Sequence, residues 1–199
     1  MSGNRVAIID SGGANIASLM FALERLGVRS LLTDDRGAIR DASHVILPGV
    51  GAAAAAMERL RNKQLHDLIP GLAQPVLGIC LGMQLLAESS AEGDAVCLGV
   101  LPVAARQMKG TPKNPVPHMG WSPIRFSETH ALLDGIGNGT YFYFVHSYAL
   151  PPGDFTVATA VHDLEMTAVL AHANFYATQF HPERSSVAGS LVLRNFLRL

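Results

Sequence analysis

One short segment constrains the fold of this chain more than any other feature: a cysteine between two glycines, where a strand-like stretch meets a helix-like one. Gly78 and Gly82 flank Cys80, with an apolar run at 75–79 before it and a helix-like run at 83–88 after it. This is the sequence form of the nucleophile elbow G-x-S-x-G, with sulfur in place of oxygen. The sharp turn lifts the nucleophile out of the sheet, and small neighbours let the backbone pass. The segment therefore predicts a strand that leads into Cys80 and a helix that follows it.

A thiol at such a turn has a chemical use, because the thiolate attacks carbonyl carbon far better than the thiol does. The first turn of a helix lowers a thiol pKa through its unpaired N–H groups and its dipole, and a nearby imidazolium lowers it further. The alternative is that Cys80 is a buried apolar side chain, the commoner fate of an isolated cysteine. Its flanking glycines favour the nucleophile. Cys97 has no such setting, and we expect it to be a packing residue.

A second motif, His181-Pro182-Glu183, supplies the partners that such a nucleophile needs. It follows an apolar run at 175–180. The histidine can act as a base, and the carboxylate two residues later can hold its ring. Together with Cys80, these residues are the parts of an acyl-transfer triad.

Apolar runs alternate with helical periodicity through the first half of the chain. Continuous apolar strands between helices indicate an α/β fold with a parallel sheet covered on both faces. In such sheets the active site lies outside the carboxyl ends of the strands, where Cys80, Gly49 and His181 are all expected. The predicted strands are 5–9, 31–33, 44–47 and the segment leading to Cys80, and the predicted helices are 52–60, 65–69 and one capped by Asn15 and ended by Gly27.

The second half of the chain has a different pattern, with short strands joined by Gly, Pro and Asn loops and little helix. We interpret it as additional antiparallel strands on the same domain, so that residues 1–199 form a single domain. Residues 109–117 contain three prolines and predict an irregular loop, and residues 190–199 predict a closing amphipathic helix. The predicted strands are 96–103, 122–126, 141–145, 155–160 and 167–171.

Composition and charge exclude several functional classes. The 199 residues carry 15 Lys+Arg against 16 Asp+Glu, a net charge of −1 without a basic cluster, so neither nucleic acid nor a membrane is an expected partner. Two cysteines form no disulfide framework, and with no signal peptide or transmembrane span evident we expect a cytoplasmic protein. The histidines lack metal-site spacing and the glycines lack a nucleotide-binding pattern, so no metal and no cofactor is expected.

Two further segments leave alternatives open. Residues 48–51 (PGVG) follow a predicted buried strand, and they are either a tight turn or an oxyanion hole, in which unobstructed backbone N–H groups face a developing charge. In residues 117–121 (PHMGW), His118 and Trp121 either pack locally or form part of an interface, since Trp and Met are enriched there.

Five segments together resemble the triad-type (class I) glutamine amidotransferases over nearly the whole chain. The elbow and the His-Pro-Glu motif give only the class, whereas the PHMGW and YFVHSY segments are similar to the glutaminase subunits of imidazole glycerol phosphate synthase in histidine biosynthesis. Ser122 departs from the usual Asn after the tryptophan. The five segments are 47–51, 78–84, 117–121, 143–148 and 179–185.

The resemblance implies a flavodoxin-like amidotransferase domain that hydrolyses the side-chain amide of glutamine through a thioester. Cys80 would be the nucleophile, His181 the base and Glu183 the group that orients His181. Backbone N–H groups of Gly51 and Leu81 would form the oxyanion hole. The residues implied in substrate binding are Gln84, Glu92, Ser147 and Tyr148.

The resemblance also implies a heterodimer with a cyclase subunit that has a (β/α)8-barrel fold. Ammonia would pass through a channel to the cyclase, which makes imidazole glycerol phosphate and AICAR. In the family, the segment that corresponds to residues 48–51, here called the oxyanion strand, rests in a misformed state until the partner binds its ligand. Residues implied at or near the partner are Asn15, Trp121, Tyr143 and Arg184. The remaining alternatives are a glutaminase that serves another synthase, a cysteine peptidase and a non-enzymatic regulator with the same fold.

Overall fold

The structure, a computed structural model, describes residues 5–12 and 16–199. In chain order the strands are β1 Val6–Ile9, β2 Ser30–Thr33, β3 His44–Gly49, β4 Val76–Cys80, β5 Ala87–Ser90, β6 Ala95–Val96, β7 Leu101–Gln107, β8 His118–Pro123, β9 Tyr141–His146, β10 Tyr148–Ala149, β11 Thr156–His162, β12 Leu164–His172 and β13 Phe175–Thr178. The α-helices are α1 Ile16–Arg25, α2 Arg36–Arg40, α3 Ala53–Asn62, α4 Leu81–Leu85 and α5 Ser186–Phe196. Single 3-10 turns lie at Ile69–Gly71, Ala131–Leu133 and Pro182–Arg184.

The largest sheet has seven strands in the order β11-β12-β13-β4-β3-β1-β2. The run from β13 to β2 is parallel throughout, as the alternation of apolar strands and helices predicts. Both faces are covered, because successive side chains point to opposite faces of a strand. On β1, Ala7 and Ile9 belong to one hydrophobic cluster, whereas Val6 and Ile8 belong to the other. The predicted α/β class is therefore confirmed.

The strands of the second half add to this framework in three ways. β12 and β11 extend the main sheet in the antiparallel direction beyond β13. A smaller sheet has the order β10-β7-β5-β6, and a third consists of β8 paired antiparallel with β9. Within the smaller sheet β5 and β7 run parallel, so the additions are mostly rather than wholly antiparallel. None of the helices in the described ranges is long and apolar enough to cross a membrane.

Several predicted boundaries are wrong, each for a local reason. No helix forms at 65–69: the positive φ of Gln64, +53°, turns the chain after α3, and hydrogen-bonded turns at 66–68 lead into the 3-10 turn Ile69–Gly71. The helix after the elbow ends at Leu85, since residues 87–90 pair as a strand instead. A single strand over 96–103 is broken at Gly99, whose φ is +66°.

Other expectations hold with shifted ends. The irregular loop at 109–117 is present, the strand expected at 122–126 lies earlier at His118–Pro123, and the last helix begins at Ser186 rather than at 190. The main chain of Gly27 bonds to Glu24 just beyond α1, where the helix was expected to end. The cap predicted at Asn15 lies outside the described residues.

Candidate active site

The elbow at Cys80 is built as its sequence predicts. Cys80 ends β4 and immediately precedes α4, with φ +54° and ψ −109°, a conformation that L-residues rarely adopt. The turn brings α4 against β3, so that a Cβ added to Gly82 would lie 1.8 Å from the carbonyl oxygen of Leu47. A Cβ on Gly78 would lie 2.9 Å from the backbone of α4. Both flanking glycines are therefore required by close backbone approach.

The sheet brings the two predicted motifs together at one edge. Gly49 lies opposite Cys80 in the β3–β4 pair, and Thr178 lies opposite Ile79 in the β13–β4 pair. The chain continues from β13 through two residues to His181, which begins the 3-10 turn Pro182–Arg184. The convergence predicted from parallel strand ends is thus observed.

His181 and Glu183 form a buried pair. The Nδ1 of His181 lies 2.8 Å from Oε1 of Glu183, and each side chain is only 5% exposed. Because the carboxylate accepts a hydrogen bond from the Nδ1–H group, Nε2 is the ring nitrogen left for acid–base work. Nε2 is buried and has no hydrogen-bond partner among the described residues.

Opposing effects act on the charge of His181. Burial by itself lowers the pKa of the imidazole, but attraction to the Cys80 sulfur and to the Glu183 carboxylate outweighs burial and raises the pKa to about 10. Cys80 thus influences the ring although it makes no regular hydrogen bond to Nε2. The raised pKa favours an imidazolium beside the sulfur.

A single pocket of about 490 Å³ is lined by the predicted nucleophile, the predicted base and all the residues implied in substrate binding. Its size suits a small polar molecule such as an amino acid. Gly51, with a φ of +92°, and Leu81, the first residue of α4, lie on its wall beside the sulfur. The predicted residues that line it are Cys80, His181, Gly51, Leu81, Gln84, Glu92, Ser147 and Tyr148. Glu183 lies behind the base, where it lines a separate small cavity with Gly49 and Val50.

Glu92 has a structural contact that the sequence did not indicate. Its Oε2 accepts a hydrogen bond of 2.9 Å from the backbone N–H of Ala53, the first residue of α3. Ala52, at the N-cap position, has no side chain that could do this. Glu92 therefore caps α3 and is held at the wall of the pocket.

The residues implied at the partner interface lie on one surface. Trp121 on β8 is directly opposite Tyr143 on β9, with ring centroids 6.1 Å apart, and the Arg184 guanidinium lies 4.8 Å from the centre of the Tyr143 ring. Met119 and Tyr141, 64% and 56% exposed, continue the same ribbon. We call these five residues the aromatic surface. Asn15 lies outside the described residues.

The two residues singled out in the PHMGW segment have different environments, and only His118 is packed locally. Trp121 is 52% exposed, whereas His118 is buried and packs against Phe144. His118 also bonds to His146, its partner in the β8–β9 register. No three His, Cys, Asp or Glu side chains within 5–12 and 16–199 are grouped to hold a metal ion. Cys97 is buried, and burial raises its pKa to about 11, as expected of a packing residue.

Two buried side-chain amides near the Cys80 sulfur make contacts that the sequence did not predict. Gln179 donates from Nε2 to the Cys80 sulfur over 3.7 Å, and Gln84 donates to Gln179 over 3.1 Å. The residues of this second contact are 95 positions apart in the chain. The one signal that could have drawn attention to Gln179 is its place two residues before His181.

Comparison with known proteins defines the class. The family profile of the class-I glutamine amidotransferases matches residues 7–199, and the chain belongs to that family. It is 49% identical over 194 residues to imidazole glycerol phosphate synthase subunit HisH 2 of Legionella pneumophila (strain Paris), with 98% of each chain covered. It is 45% identical to subunit HisH of Haemophilus influenzae, with 96% of each covered. A solved glutamine amidotransferase from Thermotoga maritima shares the fold, with TM-score 0.66 and 17% identity over 100% of this chain and 82% of the other.

Proposed function

We propose that this chain is the glutaminase subunit of an imidazole glycerol phosphate synthase, in the histidine biosynthesis pathway. It hydrolyses glutamine to glutamate and ammonia, and the ammonia passes to a cyclase subunit that makes imidazole glycerol phosphate and AICAR. The observation that carries the proposal is the meeting of Cys80 and His181 in one pocket with four polar side chains for an amino acid. The assignment to imidazole glycerol phosphate synthase, rather than to glutaminases in general, is supported by HisH relatives at 44–49% identity over nearly the full length.

The proposed chemistry starts with the sulfur. The Cys80 thiol gives its proton to Nε2 of His181, and the thiolate attacks the carboxamide carbon of glutamine. The imidazolium returns that proton to the departing nitrogen, so that ammonia leaves and a thioester remains. Water, deprotonated by His181, then releases glutamate and restores the thiol. Glu183 keeps Nε2 aimed at the sulfur and stabilises the imidazolium, a role that the 2.8 Å contact supports.

The surrounding residues have separate roles in this proposal. Backbone N–H groups of Gly51 and Leu81 stabilise the oxyanion that forms during attack. The Glu92 carboxylate suits the α-ammonium of glutamine, and its cap on α3 holds it in place. Gln84, Ser147 and Tyr148 complete the binding of the amino-acid end.

Regulation would act on the oxyanion strand. We propose that Gly49–Gly51 rests with a backbone N–H turned away from the thioester, and that ligand binding to the cyclase favours the competent state. Loss of one oxyanion donor costs about 3–4 kcal/mol, or roughly 10² to 10³ in rate. Glycine at positions 49 and 51 makes such a peptide rotation sterically inexpensive.

The partner in this proposal is a (β/α)8-barrel cyclase that docks on the aromatic surface. Exposed Trp, Met and Tyr side chains are typical of an interface. The surface also adjoins the triad, because the backbone N–H of His181 bonds to the carbonyl of Tyr143 at 2.9 Å. We further propose that residues 1–199 act as one domain in the cytoplasm, where both free cysteines remain reduced.

The test is the rate of glutamine hydrolysis by the chain alone, with its cyclase, and with cyclase plus the nucleotide substrate. We expect a low rate alone and a rise of two to three decades in the full assembly, the size expected for one oxyanion donor. Equal rates in all three mixtures would contradict the switch. Absence of hydrolysis in every mixture would contradict the proposed function, and hydrolysis without association with the cyclase would indicate another synthase.

A further inference from the structure

We propose that Gln179 is a catalytic residue whose side-chain amide donates a hydrogen bond to the Cys80 sulfur and stabilises the thiolate. The inference rests on the proposed function in that Cys80 is taken as the nucleophile. The Nε2 atom of Gln179 lies 3.7 Å from the sulfur, within hydrogen-bonding reach of that large atom. Gln179 has 0% exposure, so water does not compete for the contact.

The backbone fixes where this amide lies. The N–H of Gln179 bonds to the carbonyl of Ala168 at 2.9 Å, which ties the residue to β12 just beyond the end of β13. A buried primary amide without partners is costly, and buried polar groups in proteins are nearly always satisfied. The side-chain amide of Gln179 is therefore held beside the sulfur by the fold, in the protein interior.

The orientation of the amide follows from its neighbours. The carbonyl oxygen of Tyr148 can only accept, so Gln84 must present its NH₂ group to it, over 2.8 Å. The same NH₂ group faces Gln179 at 3.1 Å, and Gln179 must therefore turn its oxygen toward Gln84. Its own NH₂ group is then left facing the sulfur. Reversing either amide would place two acceptors or two donors together.

The Tyr148 carbonyl oxygen accepts a second hydrogen bond, from one member of a histidine pair. Nδ1 of His146 donates to that oxygen over 2.9 Å, so Nε2 of His146 must accept from Nδ1 of His118 at 3.2 Å. Nε2 of His118 in turn accepts from the Ser122 hydroxyl at 2.9 Å. Both rings are neutral in this pattern, in agreement with burial, which lowers the pKa of His118 to about 4 and of His146 to about 3.

The two contacts of the sulfur favour different protonation states. The thiol donates to the carbonyl oxygen of Val145 over 3.6 Å, a contact that the thiolate cannot make. The amide of Gln179 is a donor, and a donor binds an anionic sulfur more strongly than a neutral one. Gln179 therefore moves the proton equilibrium away from sulfur and toward Nε2 of His181. It does so without adding a charge to the pocket.

The test measures thiolate formation directly, with Cys97→Ala as background so that Cys80 is the one remaining thiol. Gln179→Met removes the donor at similar volume, and Gln84→Met removes the group that orients it. Asn195→Leu is the matched control, because Asn195 is also a buried amide, and its NH₂ group donates to the carbonyl oxygens of Leu132 and Asp134. For each variant, iodoacetamide alkylation and the ultraviolet absorbance of the thiolate are followed against pH.

We expect Gln179→Met to lower the thiolate fraction below the midpoint of its titration by about tenfold, the size of one hydrogen bond to a charged group, and to slow alkylation there by somewhat less. The whole rate–pH profile should move to higher pH without a fall in its plateau, since a thiolate of higher pKa is intrinsically a better nucleophile. Gln84→Met should shift it in the same direction by less, and Asn195→Leu should leave it in place. Superimposed profiles for folded Gln179→Met and its background would overturn the inference; if that variant does not fold, an unshifted Gln84→Met profile would do so. Neither measurement requires glutamine turnover, so failure of the proposed function would not be mistaken for failure of this inference.

Discussion

At the scale of single residues, the proposed base and its orienting carboxylate are held two positions apart at one 3-10 turn. Such spacing leaves little freedom for the ring, because His181 and Glu183 are fixed by the same short segment. Both side chains are buried, so the imidazolium in the proposed attack would be stabilised by Glu183 rather than by water. The loss of this carboxylate should therefore affect the transition state far more than substrate binding.

We predict that Glu183→Gln lowers kcat for glutamine hydrolysis by at least about 100-fold and leaves KM for glutamine nearly unchanged. The amide keeps the shape of the side chain but no longer stabilises the charged ring. Steady-state kinetics of the assembled enzyme give both constants. A raised KM with an unaltered kcat would place Glu183 in the substrate pocket instead.

The buried histidine pair makes the stability of the fold sensitive to pH. The unfolded rings titrate near pH 6.5, whereas the folded pKa falls to about 4 for His118 and about 3 for His146. Below about pH 6.5 these two rings bind protons in the unfolded chain but not in the folded chain. Their contribution therefore lowers the free energy of unfolding as the pH falls. The loss is at most about 1.4 kcal/mol per pH unit for each ring and continues down to the folded pKa.

We therefore predict that the buried pair lowers the free energy of unfolding by about 2.7 kcal/mol between about pH 7.5 and about pH 5.5, about 1.3 kcal/mol for each ring, and that His181, whose pKa is raised, offsets roughly half of this loss. His118→Gln should make the loss on acidification smaller by about 1.3 kcal/mol. His172→Gln, at an exposed position, is the control and should retain all of it. Urea titrations at the two pH values measure the difference. Equal pH dependence in His118→Gln and the wild type would contradict the assignment.

At the scale of secondary-structure elements, the elbow depends on how closely α4 approaches β3. With a Cβ at residue 82, the carbonyl of Leu47 and the helix would have to separate by more than 1 Å, since 1.8 Å is far below van der Waals contact. That shift would also move Leu81 and Gly49, which belong to the proposed oxyanion region. Packing and catalysis are therefore coupled at this contact.

We predict that Gly82→Ala destabilises the fold by about 3 kcal/mol, at the upper end of ordinary overpacking. Gly71→Ala is the matched control, because a Cβ there meets nothing within 4 Å and its backbone angle suits any residue. Its effect should lie within about 0.5 kcal/mol. Thermal or urea unfolding of both variants gives the comparison, and a Gly82→Ala chain as stable as the control would contradict the close contact.

The elements differ in how far sequence could predict them. The apolar runs of β1, β3 and β4 and the glycines around Cys80 are local signals, so the parallel sheet and its elbow followed directly. The helix predicted at 65–69 was wrong: Leu65, Leu68 and Ile69 are buried, as their apolar pattern indicates, but they lie in a series of turns. The sequence alone could not predict the contact between Gln84 and Gln179, because it exists only once β13 lies beside β4.

At the scale of the whole molecule, the aromatic surface and the active site lie on adjoining parts of the structure. Tyr143 carries the cation–π contact to Arg184 on one side and bonds to the backbone of His181 on the other. A partner that covers Trp121 would thus contact the strand that supports the base. This continuity gives a physical basis for the regulation that we propose.

We predict that Trp121→Ala raises the Kd for the cyclase by about 30-fold, the effect of an interface residue worth about 2 kcal/mol. Leu164→Ala is the control, since Leu164 is 68% exposed on β12, outside the aromatic surface. Isothermal titration of each variant with the cyclase gives the affinities. Equal losses for both variants, or none for either, would mean that the cyclase docks elsewhere.

The most direct test of the account compares the wild-type chain with Cys80→Ala, each assembled with its cyclase and supplied with either glutamine or ammonia. Cys80→Ala should lower glutamine-dependent formation of imidazole glycerol phosphate by about 10⁴-fold or more, as removal of a triad nucleophile does. Ammonia-dependent formation should stay within about twofold, since the cyclase performs that step, and Cys97→Ala should match the wild type with both nitrogen sources. Glutamine-dependent synthesis that survives in Cys80→Ala would contradict the account.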